Sequence, residues 1–210
     1  MDLTDILLVD KPKGITSFDV IRILRRELGV RKMGHAGTLD PLATGLLIIG
    51  VNAGTKKLAG LIGLPKTYDA EIRLGMATDS GDAAGTIVQE LPVPVLTNGE
   101  IQAVVEGMKG KLTLPVSLFS AIKRDGVPLY KYAYKGEKVE LPMRDMTVRD
   151  ARFVSYENGI IRAVFDVSSG TYVRSLAEEL GKRLGTCASI LNLRRLSIGE
   201  YSVEGARKVS

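Results

Sequence analysis

Apolar residues along this chain recur with two different periods, and the points where one period gives way to the other mark the expected elements. Ile6-Leu7-Leu8-Val9 is a short apolar run closed by Asp10-Lys11-Pro12-Lys13-Gly14, which reads as a buried strand ending in a turn. Thr16 with Asp19 three positions on has the form of a capping box. Val20, Ile21, Leu24 and Leu28 then repeat at helical spacing, and Gly29 supplies the stop. Val30 to Pro41 shows neither period and reads as a loop. Leu46 to Val51 is expected as a buried strand, Thr55 to Leu61 as a short helix, and Tyr68 to Leu74 as a strand with alternating sides, broken by Asp79-Ser80-Gly81-Asp82.

Thr97 with Glu100 opens a second capped helix that ends near Gly107, and a third is expected around Leu129 to Lys135. Asn158-Gly159 separates two strand-like segments, Thr147 to Tyr156 and Ile160 to Val167. Both residues of that dipeptide tolerate positive φ, so an antiparallel hairpin follows. Val173, Leu176, Ala177, Leu180 and Leu184 form one apolar face of a helix from Tyr172 to Leu184, stopped by Gly185. No linker, repeat or low-complexity tract interrupts the pattern. The expectation is a single α+β domain over residues 1–210, built on a mainly antiparallel or mixed sheet with flanking helices.

Composition narrows the function classes. With 45% hydrophobic residues among 210, the chain can bury a sizeable core. No stretch reaches the roughly 18 uninterrupted apolar residues of a membrane span. The N-terminus MDLTDILLVDKPKG starts acidic and lacks a cleavable apolar segment, so a cytoplasmic location is expected. A lone cysteine, Cys187, has no internal disulfide partner, and a lone histidine, His35, leaves too few soft ligands for a typical zinc site; no metal is expected. The net charge of +5 suits an acidic partner such as RNA, and it equally suits plain solubility.

Chemistry concentrates in Gly34-His35-Ala36-Gly37-Thr38-Leu39-Asp40-Pro41-Leu42-Ala43-Thr44-Gly45. Its glycines allow unusual backbone angles and Pro41 fixes φ just beyond Asp40, so the loop could hold that carboxylate rigidly. On these residues alone, an anion-binding turn and a plain connection in which Asp40 bonds a nearby amide stay open. The chain has neither Gly-x-x-x-x-Gly-Lys-Ser/Thr nor Gly-x-Ser-x-Gly. A histidine-based triad would need His35 as its base, and no acidic partner for it is visible.

GHAGTLDPLATGLL resembles the catalytic motif of the TruB family of tRNA pseudouridine synthases. Further matches occur in the family's order: LLVDKPKGITSFDV, KTYDAEIRLGMATDSGDAAG, SAIKRDGVPLYKYA, and GTYVRSLAEELGKRLG with LRRLSIGEY. Together they cover nearly the whole chain. The resemblance implies a pseudouridine synthase fold whose cleft receives RNA. It also implies isomerisation of a uridine, uridine 55 in the tRNA T-loop, without a cofactor. The T-arm stem-loop is then the partner, and the chain is expected to act as a monomer. Position by position, Asp40 matches the catalytic aspartate, Tyr68 the tyrosine stacking on the target base, and Tyr172 the proton acceptor. Arg174 matches the arginine that pairs with the aspartate, His35 the residue holding the displaced base out of its loop, and Leu193 an apolar wall of the pocket.

Physical chemistry is compatible with these roles. A carboxylate can act as a nucleophile when its charge is held in place, and a guanidinium supplies a permanent planar partner. Flipping a base costs a few kcal/mol, part of which an aromatic face recovers. The same tyrosines could instead pack in the sheet, Arg174 could be a solvated charge, and Leu193 simple core. Lys11 and Lys13, with Arg22, Arg25, Arg26, Arg31 and Lys32, gather near the N-terminus as candidate phosphate contacts, although a solvated helix face explains Arg25 and Arg26 equally well.

Two features depart from the family pattern. In Pro115-Val116-Ser117-Leu118-Phe119-Ser120-Ala121, Phe119 stands where a tyrosine is usual, and the proline is displaced by one position so that Val116 takes its place. The sequence also runs only a few residues past Tyr201-Ser202-Val203, without the C-terminal RNA-binding module, often of PUA type, that most bacterial members carry. Two rival readings remain at this level: the same chemistry on another RNA, and a non-catalytic RNA-binding or chaperone protein with the same fold. Intact Asp40, Tyr68, Tyr172 and Arg174 favour catalysis.

Overall fold

A computed structural model of the chain describes residues 5–137 and 139–209. Strand β1 (Ile6–Lys11), helix α1 (Ser17–Leu28), β2 (Met33–Ala36) and β3 (Thr44–Val51) come first. A 3₁₀ turn (Asn52–Lys57), α2 (Leu58–Ile62), β4 (Lys66–Leu74), β5 (Met76–Thr78) and β6 (Ile87–Glu90) follow. Next are α3 (Asn98–Glu106), β7 (Gly110–Pro115), β8 (Lys123–Arg124), β9 (Val127–Pro128) and α4 (Leu129–Lys135). The last elements are β10 (Met143–Glu157), β11 (Ile160–Val167), α5 (Val173–Arg183), β12 (Ala188–Ile198), β13 (Tyr201–Ser202) and β14 (Arg207–Lys208). This is an α+β fold. Among the described residues no helix is long and apolar enough to cross a membrane.

The residues group into two compact units. The first holds the described residues up to Asp69, Phe165–Ser169 and those from Asn192 onward; the second holds Ala70–Val164 and Gly170–Leu191. Neither is one contiguous stretch, because β4, β11 and β12 each contribute residues to both. No linker could therefore announce the division in the sequence.

In the first unit the strand order is β14-β1-β3-β12-β4-β11, with β2 added on β3 and β13 on β12. β3 pairs antiparallel with β1 and β2 but parallel with β12, so the sheet is mixed. Its apolar run faces both ways. Leu47, Ile49 and Val51 pack with Val9 and with Val20, Ile21 and Leu24 of α1, whereas Leu46 and Ile48 pack with Ala36, Leu58 and Ile198 on the other side. Two-sided burial explains why β3 reads as an unbroken apolar segment rather than an alternating one. Each such Leu or Ile contributes about 1.5–3 kcal/mol of burial. The entry to α1 is fixed by a reciprocal cap: Thr16 Oγ accepts from Asp19 N at 3.0 Å, and the Asp19 carboxylate accepts from Thr16 N at 2.8 Å. Gly29, with φ 66°, closes the helix in the left-handed region.

The expectation of an unbroken loop from Val30 to Pro41 is corrected here. Met33–Ala36 forms β2, paired from Met33↔Val51 to Ala36↔Ile48. So short a segment, half of it Gly and His, has no strand signal of its own and is recruited by the edge of β3. The short helix expected over Thr55 to Leu61 is a 3₁₀ turn running into the five-residue α2. Strands β7 and β12 were not expected from periodicity.

In the second unit the order is β12-β4-β11-β10-β7. β10 pairs antiparallel with β7 from Met143↔Pro115 to Val148↔Gly110. Asn158 and Gly159 take φ of 52° and 75° in the turn between β10 and β11, as their dipeptide requires. α3 is capped reciprocally by Thr97 and Glu100, and α5 buries Val173, Leu176, Ala177 and Leu180.

The parallel contact of β3 with β12 leaves no space at Gly45. Its φ is +102°, and an added Cβ would lie 2.2 Å from the Arg195 carbonyl oxygen. Gly29 also has positive φ but nothing within 4 Å of such a Cβ. Gly45→Ala should therefore lower unfolding free energy in urea by at least about 2 kcal/mol, against about 1 kcal/mol for Gly29→Ala. Equal losses would show that backbone angle alone, not the strand contact, decides the matter.

Candidate active site

Asp40 lies in the short connection between β2 and β3, and almost every carbonyl around it has a specific donor. Asp40 O accepts from Ala43 N at 3.1 Å, which closes a tight turn. Leu39 is held on both backbone groups by Ser17 of α1: its N donates to Ser17 Oγ at 2.9 Å and its O accepts from the same hydroxyl at 3.1 Å. Pro41 O accepts from Gly14 N at 2.8 Å and from Lys11 Nζ at 3.4 Å. Arg195, only 1% exposed, donates Nε to Leu46 O at 2.7 Å, Nη2 to Gly37 O at 3.0 Å and Nη1 to Thr38 O at 3.4 Å. The guanidinium thus fixes both ends of the connection. Its planar fork suits that task, since the donors diverge toward separate carbonyls in one plane.

Two buried lysines border the same connection. Lys11 is fully buried, with its ammonium on Pro12 O at 2.9 Å and Ile15 O at 2.8 Å besides Pro41 O. Lys66 donates to Ile62 O at 2.9 Å, Leu64 O at 2.6 Å and Ser169 Oγ at 3.4 Å. All three donors of each ammonium are thereby satisfied. Burial pulls both amines from 10.5 down to about 8, and the Arg195 charge adds to the pull; at Lys11 the Asp40 charge opposes it. Lys11, expected from the sequence among the phosphate contacts, has its head group against carbonyls inside the protein. Lys13 is exposed and donates to Asn192 Oδ1 at 2.7 Å.

The other first-unit residues named from the sequence occupy partly or fully buried positions. His35 sits on β2, and burial first, then the Arg195 charge, holds its imidazole below the usual histidine range. Its Nδ1 is buried and has no hydrogen-bond partner among the described residues. Tyr68, 7% exposed, shares a face of β4 with Lys66, and Leu193, 9% exposed, lies on β12 two residues before Arg195. The Arg195 charge bears on His35, Lys11 and Lys66, and sequence reasoning did not single it out. The available signal was a strand period in Leu193-Arg194-Arg195, which turns Arg195 to the buried side with Leu193.

Tyr172 and Arg174 belong to the second unit. Tyr172 is the N-cap residue of α5, in extended conformation, and Arg174 is the second residue of that helix. Arg174 is 5% exposed; its Nη1 donates to Ser117 Oγ at 2.6 Å and Ser80 O at 2.8 Å, and its Nη2 to Phe119 O at 3.0 Å. Ser80 Oγ in turn donates to Asp82 Oδ1 at 2.8 Å. The departure at Phe119 leaves this arrangement intact, because the contact is made by a main-chain carbonyl that any residue supplies. Its ring meets Tyr134 edge-on, with centroids 5.8 Å apart.

The buried lysines generate a pH signature with a definite sign. An unfolded lysine keeps its proton to about pH 10.4, so from about pH 8 upward the unfolded chain binds more protons than the folded one. Stability contributed by Lys11 and Lys66 therefore rises across pH 8 to 10. Lys11→Met removes one share. In urea titrations between pH 7 and 10, the parent should gain on the Lys11→Met variant by up to about 1.4 kcal/mol per pH unit above pH 8. Parallel curves would show that Lys11 titrates as a free amine.

The family model for the N-terminal domain of TruB family pseudouridylate synthases matches residues 25–173. The tRNA pseudouridine synthase B of Arthrobacter sp. (strain FB24) is 43% identical over 213 residues, covering 98% of this chain and 69% of the relative. Those of Opitutus terrae and Aromatoleum aromaticum are 42% and 41% identical, with coverage of 98% and 96% of this chain and 85% and 65% of the relatives. Among solved structures, a chain of a Cbf5-Nop10-Gar1 complex aligns with a TM-score of 0.76 at 24% identity, over 99% of this chain and 53% of that one. A chain of an H/ACA RNP bound to a substrate RNA aligns with a TM-score of 0.74 at 22% identity, over 98% of this chain and 51% of that one. The structural likenesses establish the fold. With the family match running through the clamped Asp40 connection and on to the start of α5, the chain belongs to the TruB family of pseudouridylate synthases.

Proposed function

We propose that this chain isomerises uridine to pseudouridine in tRNA, at uridine 55 of the T-loop, with Asp40 as the catalytic nucleophile. The observation that carries the reading is the clamp on the Asp40 connection, in which Arg195, Ser17, Lys11 and Gly14 hold the backbone on both sides of the carboxylate. A carboxylate carried on a backbone so fixed has less conformational freedom to lose on attack. The relatives' name, tRNA pseudouridine synthase B, supports the substrate class. The reaction breaks the N-glycosidic bond, turns the uracil and rejoins it through carbon. No atom is gained or lost, and no cofactor is required.

The remaining roles rest on the family resemblance. Tyr172 is the proton acceptor, Arg174 the charge partner of the aspartate, Tyr68 the stacking ring, His35 the residue against the displaced base and Leu193 an apolar wall. The low proton affinity of His35 suits a neutral imidazole facing a base rather than a phosphate. Lys13 is a phosphate contact. The chain works as a monomeric catalytic domain on the T-arm stem-loop, in the cytoplasm with the tRNA pool.

Incubation with total tRNA followed by mapping of new pseudouridine tests the substrate, and a T-arm hairpin should be modified nearly as well as whole tRNA. Product at other uridines only would overturn the assignment. Asp40→Asn should abolish product while leaving hairpin affinity nearly unchanged, since the amide keeps shape but not charge. Tyr172→Phe should slow turnover by about 10² to 10⁴-fold, the usual range for general acid-base catalysis. Parent-like rates in single-turnover assays of either variant would remove the role assigned to that residue.

A further inference from the structure

The outer face of α1 carries an arrangement that neither core packing nor the roles above explain. Phe18 is 54% exposed, and the guanidinium carbons of Arg22 and Arg25 lie 5.9 and 5.8 Å from the centre of its ring. Spacing of four and then three residues places all three on one stripe, opposite the buried Val20, Ile21 and Leu24. Arg26 beside it is exposed. The ring holds two long side chains against it by cation–π attraction, which removes rotamer freedom before any partner arrives. Arg22 is further oriented by its ion pair with Asp19 of the capping box, yet its side chain stays 66% exposed. Arg25 reaches the Met33 carbonyl of β2 at 3.4 Å.

The stripe also has a fixed relation to the Asp40 connection. Ser17, adjacent to Phe18, is the residue that holds Leu39 by both backbone groups. Arg25 contacts the strand that carries His35. The stripe and the Asp40 connection are thus tied together through Ser17 at the start of α1 and through β2 near its end, within one compact unit. Pre-oriented guanidinium forks match the paired oxygens of a phosphodiester.

Resting on the reading that Asp40 acts on a uridine in RNA, we infer that Phe18, Arg22 and Arg25, extended by Arg26, form a docking surface for the phosphate backbone of that RNA strand. Phe18 is the platform and the arginines are the contacts. The surface positions the strand and does not read its bases.

Binding of a fluorescent T-arm hairpin to the full chain, measured over a series of salt concentrations, tests this. The Arg22→Gln and Arg22→Gln/Arg25→Gln variants should bind more weakly at low salt. Their slope of log affinity against log salt should shrink by roughly 0.7 to 0.9 per arginine removed. Phe18→Ala, which keeps every charge, should weaken binding several-fold by releasing the arginines, and KM for the hairpin should rise in parallel. Lys111→Gln serves as a control for charge alone, since Lys111 is exposed on β7 and paired with Asp145; it should leave the slope as in the parent. A parent-like slope in the double variant, an equal loss with Lys111→Gln, or no hairpin binding by the parent overturns the inference. Parent binding with the expected slope differences but no pseudouridine formed would overturn the Asp40 reading and leave the docking surface standing.

Discussion

The first unit depends on a guanidinium buried where no water reaches it. Arg195 is 1% exposed, and burying such a charge unpaired would cost many kcal/mol. Its hydrogen bonds to the carbonyls of Gly37, Thr38 and Leu46 offset that cost, and the offset exists only while the Asp40 connection keeps one shape. The loop and the cation therefore stabilise each other. A loop satisfied by water could drift; this one cannot move without stranding a charge. Gly45 is the steric counterpart, since only a residue without Cβ allows β3 to approach the Arg195 backbone so closely.

Lys11 and Lys66 repeat the device on a smaller scale. Each places three N–H donors among main-chain and hydroxyl oxygens, and each is held at about 8 rather than 10.5 by burial and by the Arg195 charge. The interior around the connection is consequently rich in positive charge, and the Asp40 carboxylate is the charge that counteracts burial at Lys11. Such preorganised charge needs no rearrangement during a reaction, which is the usual source of electrostatic catalysis. Burial, joined by the Arg195 charge, likewise keeps the His35 imidazole a poor base.

Arg174 in the second unit follows the same rule with different partners: two main-chain carbonyls and one hydroxyl, Ser117. Because the carbonyls belong to Ser80 and Phe119, the segments before α5 can vary in side chain without losing the contact. The phenylalanine at 119 therefore keeps its contact with Arg174, and Ser117, whose side chain makes the contact, is the more sensitive position.

Much of this was legible in the residues. The capping boxes at Thr16 and Thr97, the Asn158-Gly159 turn and the faces of α1 and α5 are local, carried by hydrogen bonds and periodicities within a few positions, so sequence alone determined them. The Asp40 motif likewise named its own family. What only the tertiary structure decided is long-range: β2 exists because β3 offers it an edge, Lys11 points inward because Pro41 and Ile15 turn their carbonyls toward it, and Arg195 lies at the centre of the Asp40 site from about 150 positions away in the chain. A cation's written identity is the same on a surface and in a core. The difference is set by which carbonyls the folded chain leaves without a donor, and that is fixed only when distant segments meet.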